Sequence, residues 1–159
     1  MEEEITKTIN DSKVEQIHLL MPTHINGFGR LFGGQLLAWI DEVAGIVAKR
    51  HSESIAITAA IDNLQFKEGA HVNDTIVLIG YLTYVGNTSM EVRVDTYVEN
   101  LHGDRHPINR AFLTMVAIDE NEKPKRVPRL RLTNVSEEAE WEAAQKRIEL
   151  RKQRHAEGF

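Results

Sequence analysis

The stretch "GQLLAWIDEVAGIVAKR", residues 34–50, decides how this chain folds. Stepped at 100° per residue, Leu36, Ile40, Val43, Ala44 and Val47 fall on one face, and Trp39 and Ile46 widen the apolar surface sideways. Only Gln35, Glu42 and Lys49 make a clearly polar stripe. A helix this apolar must be wrapped by something. Yet Asp41 sits in its middle, where burying a carboxylate is costly unless something compensates.

The wrapping is expected from strands on both sides of the helix. Val14 to Leu20 reads as a short strand ended by Pro22, and Ile55 to Phe66 as a second, rich in Ile and Ala. Thr75 to Val85 is apolar on both faces and is expected to be the central strand. Met90 to Val98 alternates, with Met90, Val92, Val94 and Val98 inward and Glu91, Arg93 and Asp95 outward. Arg110 to Ile118 completes the set. The short "GNTS", residues 86–89, predicts a hairpin, and "NLHGDRHPIN", residues 100–109, a longer hairpin loop. One buried helix with five mostly antiparallel strands is an α+β plan. Flat packing would leave Trp39 and Ile46 wet, so the sheet is expected to curl around the helix, and its uncovered edge argues for a dimer.

The flanks read differently. Residues 1–12 are expected to be a loose tail, residues 13–132 the folded domain, and residues 133–159 a helical tail. In that last segment Ser136 reads as a cap with Glu137 and Glu138 in the first turn, and Lys146, Arg147, Arg151, Lys152 and Arg154 gather late. With few apolar residues, this helix should lie on the surface or dock a neighbouring subunit.

Composition narrows the function. The 159 residues are 42% hydrophobic and 27% charged, as in a globular protein with one core. The net charge of -5 speaks against nucleic acid as a partner. With no cysteine there is no disulfide, zinc thiolate or thiol nucleophile, which fits a reducing compartment. No apolar run approaches the roughly 20 residues that span a bilayer, and "MEEEITKTIN" lacks the basic-then-apolar order of a signal peptide. A cytoplasmic protein without membrane contact is expected.

Asp41 has Leu37, Ala38, Ala44 and Gly45 as its helical neighbours. Three of these are small: they leave room for a ligand and supply no cation. The plain alternative is an aspartate at the rim of the apolar face, solvated or paired with a distant Arg or Lys. The preceding loop favours chemistry. Gly33 and Gly34 open the helix, where unpaired N–H groups and the positive dipole end can hold a phosphate or polarise a carbonyl, and Asn26 adds an amide. The glycine spacing fits neither a dinucleotide fingerprint nor a Walker loop, and no Gly-x-Ser-x-Gly elbow is present, which sets aside a serine esterase.

"PTHINGFGRLFGGQLLAWIDEVA", residues 22–44, resembles the signature of the hotdog-fold acyl-CoA thioesterases, in the acyl-CoA hydrolase branch. The matching positions are Pro22, His24, Asn26, Gly29, Phe32, Gly33, Gly34 and Asp41. "VGNTSMEVRV" resembles the family's hairpin at the coenzyme A site, and "VPRL" recurs after the last strand, so the likeness covers about residues 14–130. It implies a curled antiparallel sheet around one helix, a homodimer as active unit, and assembly as a trimer of dimers. It also implies hydrolysis of acyl-CoA to a free acid and coenzyme A, which is part of substrate and product, so no separate cofactor is expected. In that scheme Asp41 is general base or nucleophile, and Asn26, from the partner subunit, positions water or the thioester. The N–H of Gly34 or its neighbour stabilises the oxyanion. His24, Phe32, Gly33, Gly86, Thr88 and Ser89 are expected around the substrate. Three departures stand out: Asn87 where the family often has Arg or Lys, Glu68 where Pro is common, and Asn73 where Gly is common.

"EKPKRVPRLR", residues 122–131, is a basic run in an acidic chain; it is either a solvated stretch or, through Lys125, Arg126 and Arg129, the contact for coenzyme A phosphates. His102 and His106 lack a third ligand, so no metal is expected. His24 with Asp41 mimics the pair of a hotdog 3-hydroxyacyl thioester dehydratase, a second possible activity; a non-catalytic acyl-CoA-binding regulatory module is a third. For His24 the structural alternative is a loop histidine bonding backbone. Thr58 and Phe66 are expected in the core, facing the helix.

Overall fold

The computed structural model describes residues 3–62 and 64–159; Met1, Glu2 and Asn63, the last within the strand expected over Ile55 to Phe66, lie outside them. In chain order the elements are β1 (Thr6–Thr8), β2 (Val14–Leu19), α1 (Gly33–Ser52), β3 (Ile55–Asp62) and β4 (Thr75–Val85). They continue with β5 (Ser89–Glu99), β6 (Arg105–Ile118), β7 (Arg129–Arg131) and α2 (Val135–Glu157).

Five strands form one sheet in the order β2-β4-β5-β6-β3, every neighbouring pair antiparallel. α1 contacts all five, so the sheet curls around it as its apolar circumference requires. Ile40, Val43 and Val47 are fully buried, each contributing about 1.5–3 kcal/mol of apolar burial. They meet Ile76, Leu78, Leu82, Val92, Val94, Leu113 and Met115 from the concave face. The helix approaches closest over Gly80, where an added Cβ would lie 2.4 Å from Val43 Cγ1. Glu53 ends the helix in the left-handed conformation (φ 54°), its N–H donating to Lys49 O.

Several expectations change. β5, not the two-faced apolar β4, takes the central place, although β4 is flanked on both sides. β6 begins at Arg105, so the loop expected over residues 100–109 is shorter. Pro107 enters the strand opposite Tyr97, at a register shift after Thr96 and beyond the reach of β3, where its missing N–H breaks no ladder. Within the expected loose tail, Thr6–Thr8 pairs in parallel with Arg129–Arg131, and Ile9 and Ser12 are buried. A three-residue pairing of such distant segments leaves no periodic trace.

The convex face is covered by α2, which starts one residue before Ser136 and is capped by Asn134, whose Oδ1 accepts from Glu137 N. It docks on its own sheet. Trp141 packs on Tyr84 (centroids 4.2 Å apart), and the Arg147 guanidinium lies 3.7 Å from the Phe112 ring centroid. Glu91, Arg93 and Asp95 do point outward, yet Glu91 and Asp95 are buried there rather than solvated. Glu91 accepts from Thr83 Oγ1 and Arg147, Asp95 from Arg93 and Arg110, and Glu140 of α2 from Tyr81 and Arg93.

Candidate active site

Asp41 emerges on the exposed side of α1, and β3 brings a hydroxyl to it. Thr58 Oγ1 donates to Asp41 Oδ1 at 2.6 Å, and Met115 Sδ lies 3.4 Å from the same hydroxyl oxygen. Among the described residues no cation pairs with Asp41, and its Oδ2 accepts no hydrogen bond from the chain. The expectation that Thr58 is core is therefore corrected: it faces the helix, but it is exposed and bonded to the carboxylate. Phe66 is not core either, at 55% exposure.

At the start of α1, Phe32 precedes the helix with no side-chain cap, so the first N–H groups, those of Gly33 and Gly34, have no intrahelical acceptor. The space above them is set by aromatics. The Phe66 ring lies 3.4 Å from where a Gly33 Cβ would stand, and a Gly34 Cβ would come within 2.6 Å of the Phe32 ring. Both rings are half exposed and wall the helix start.

The loop before the helix is organised by Asn26. Its Oδ1 accepts from Phe28 N (2.9 Å) and Arg30 N (3.2 Å), and its own N–H donates to Arg30 O (2.7 Å). The side-chain N–H₂ donates to nothing among the described residues. His24 takes the structural alternative. Its Nδ1 accepts from Met21 N at 3.0 Å, and its ring meets Trp39 edge-on at 4.9 Å, while His18 stacks on the other part of that indole at 4.2 Å. Trp39 and Asp41 are two residues apart, about 200° around the helix, so His24 does not join Asp41 within one protomer.

The basic run and the β4–β5 hairpin come together. Arg129 Nη2 donates to Gly86 O (2.9 Å), Arg126 donates to Asn87 Oδ1, and Val127 N to Asn87 O (3.0 Å). Ala117 N donates to Thr88 O, and Ser89 O accepts from Gly86 N, which closes the turn. Lys125 lines the cleft beside Arg126. Glu4 pairs with Arg126 and lies 3.8 Å from Arg129. Of the departures, Asn73 occupies the left-handed region (φ 75°), which explains the family's glycine there, and Asn87 supplies an acceptor to Arg126. His106 pairs with Glu68, and His102 donates its backbone N–H to Asn100 in the hairpin turn.

A family model for the thioesterase superfamily matches residues 28–102. The uncharacterised acyl-CoA thioester hydrolase YkhA of Bacillus subtilis is 39% identical over 131 residues, covering 82% of this chain and 76% of that protein. The chain belongs to the hotdog-fold acyl-CoA thioesterases. An apo-hexameric acyl-CoA thioesterase of known structure superposes on this thioesterase with a TM-score of 0.91 and 41% identity, covering 96% of this chain and 98% of the other. The Staphylococcus aureus acyl-CoA hydrolase, solved with butyryl coenzyme A, coenzyme A and coenzyme A disulfide, gives a TM-score of 0.90 at 30% identity, covering 96% and 94%. Alanine variants of that hydrolase have been solved at an asparagine, an aspartate and a threonine. Those three are spaced along its chain by the same intervals as Asn26, Asp41 and Thr58 here.

The partner of Asp41 that the sequence reading missed is Thr58. Its signal was a hydroxyl on an otherwise aliphatic strand, "IAITAAID", but a β-bulge directly after it breaks the period of two that would have assigned its face.

Proposed function

We propose that the protein hydrolyses acyl-CoA thioesters to a carboxylic acid and coenzyme A, with Asp41 as general base or nucleophile. The observation that carries this is the Thr58–Asp41 pair: a carboxylate with no cation to neutralise it, held through one oxygen by a hydroxyl and with the other oxygen open. As base, Asp41 takes a proton from water as the oxygen attacks the thioester carbon, then returns it to the departing thiolate as the C–S bond breaks. As nucleophile, its free oxygen attacks the thioester carbon, the C–S bond breaks and coenzyme A leaves as the thiolate. Water then cleaves the resulting acyl anhydride, freeing the acid, restoring the carboxylate and supplying the proton that the thiolate takes up. The equal spacing of the three residues replaced in the S. aureus hydrolase supports the assignment.

The active unit is a dimer. Gly34 and Asp41 are seven residues apart, about 10 Å along the helix, too far for one helix to meet both faces of a single thioester. A site needing both draws the Gly34 N–H and the Asn26 amide from one protomer and Asp41 from its partner. β3 offers the edge for this, with Ile55 and Ile57 exposed on it. The hexameric neighbour supports a trimer of dimers. Arg126 and Arg129 on the Gly86–Ser89 hairpin, with Lys125 in the cleft beside Arg126, are suited to the coenzyme A phosphates. No resident cofactor is needed, and a chain without cysteine fits the cytoplasm, where acyl-CoA is dissolved.

The test is thiol release from a panel of acyl-CoAs. Wild type turns over, and Asp41→Ala loses at least about 10²-fold in kcat/KM. Coenzyme A binding without turnover would leave a binding module; activity confined to dehydration of 3-hydroxyacyl thioesters, and lost on changing His24, would leave a dehydratase.

A further inference from the structure

β3 is an edge strand hydrogen-bonded to β6 alone, and its register slips once: Thr58 pairs with Met115 and Ala60 with Thr114, which leaves Ala59 as an extra residue. The extra residue changes which side chains share a face. Ala56 and Ile61 pack against the α1 core and Thr58 bonds Asp41, so residues of both parities look inward. Asp62 then looks outward. There it meets α2: Arg151 Nη1 at 3.2 Å and Arg154 Nη2 at 3.0 Å, with its side chain only 16% exposed.

Without the bulge, either Thr58 would turn from Asp41 or Asp62 would turn toward the apolar helix, away from both guanidinium groups. Within the protomer β3 is fixed along β6 and by Ala56 and Ile61 against the core, and the contacts of Asp62 add a hold on its convex face. We infer that Asp62 is a positioning residue: locked to Arg151 and Arg154 on the convex face, it holds the bulged register of β3 and so aims Thr58 at Asp41 on the concave face. α2 thereby reaches the site through the sheet without touching substrate. The inference rests on the hydrolase mechanism proposed above.

The experiment compares Asp62→Asn with the double variant Arg151→Gln/Arg154→Gln, which leaves β3 untouched. Each is expected to lower kcat for acyl-CoA about 10-fold with KM unchanged, since small misplacement of a reacting group is costly. Asp62→Glu should restore most of the rate. In a Thr58→Val background, Asp62→Asn should cost less than about twofold more, because both changes remove the same contact. Unchanged kcat in both lock variants, or losses that multiply with that of Thr58→Val, would overturn the inference while Asp41→Ala and Thr58→Val remain impaired. Should Asp41→Ala keep the wild-type rate, the hydrolase mechanism falls and this role falls with it.

Discussion

Thr58 and Asp41 meet through one hydrogen bond of 2.6 Å, and its removal is the sharpest probe of single residues here. A bond to a charged acceptor contributes about 1.5–3 kcal/mol. Thr58→Val keeps the shape and loses the donor, so kcat should fall at least about 10-fold in steady-state thiol release, while Thr58→Ser keeps most of the rate. The residues that carried the expected chemistry were recognisable because each has a local signature. Asp41 interrupts an apolar periodicity, Gly33 and Gly34 open a helix, and Asn26 is an amide in the glycine-rich loop before it. Thr58 has no such local mark: its role exists only once β3 lies beside α1.

The elements are held to one another by buried polar contacts that set their own predictions. Glu91 is 3% exposed and its carboxylate depends on Arg147 of α2. Arg147→Ala strands that charge, and the stability lost in urea unfolding should be about 3–5 kcal/mol. Glu91→Gln with Arg147→Met should recover much of it, because neither charge is then left alone. At the far end of α1, buried His51 donates its Nε2–H to Pro128 O at 2.8 Å and so holds the residue before β7. Burial pushes the His51 pKa below its usual 6.5, and the bond to Pro128 offsets only part of that. A depressed pKa means the unfolded chain binds the proton more tightly, so this share of stability is complete above about pH 6.5 and is lost as pH falls through the depressed value. Unfolding free energies from pH 8 to pH 5 should therefore decline, and His51→Gln should flatten the slope. His18, also shifted down by burial against Trp39, keeps a remainder.

At the scale of the whole molecule, the edge of β3 with exposed Ile55 and Ile57 is the surface through which a composite site would close. Ile57→Lys puts a charge on that edge and should shift the protein to monomers in sedimentation velocity. If Asn26 and Gly34 serve the partner's Asp41, the monomer loses its oxyanion donors, and kcat/KM should drop by at least about 10²-fold. A monomer with full activity would show that one protomer suffices.

By itself the sequence determined the helix, the strands and the glycine-led loop, because each is written in short-range patterning: a 3.6-residue apolar face, runs of β-branched residues, and turn residues between them. The basic run and the β4–β5 hairpin were each recognised, but only the fold joined Arg126 and Arg129 to Gly86 and Asn87. Tertiary structure alone decided that Glu91 lies buried beneath Arg147 of α2 and Asp95 beneath Arg93 and Arg110, since alternating charges along a strand look the same whether water or guanidinium groups face them. It alone decided the parallel pairing of β1 with β7 and the bulge that turns Thr58 to Asp41. Those contacts join segments far apart in the chain, and their energy depends on which surfaces meet, a property that no local pattern encodes.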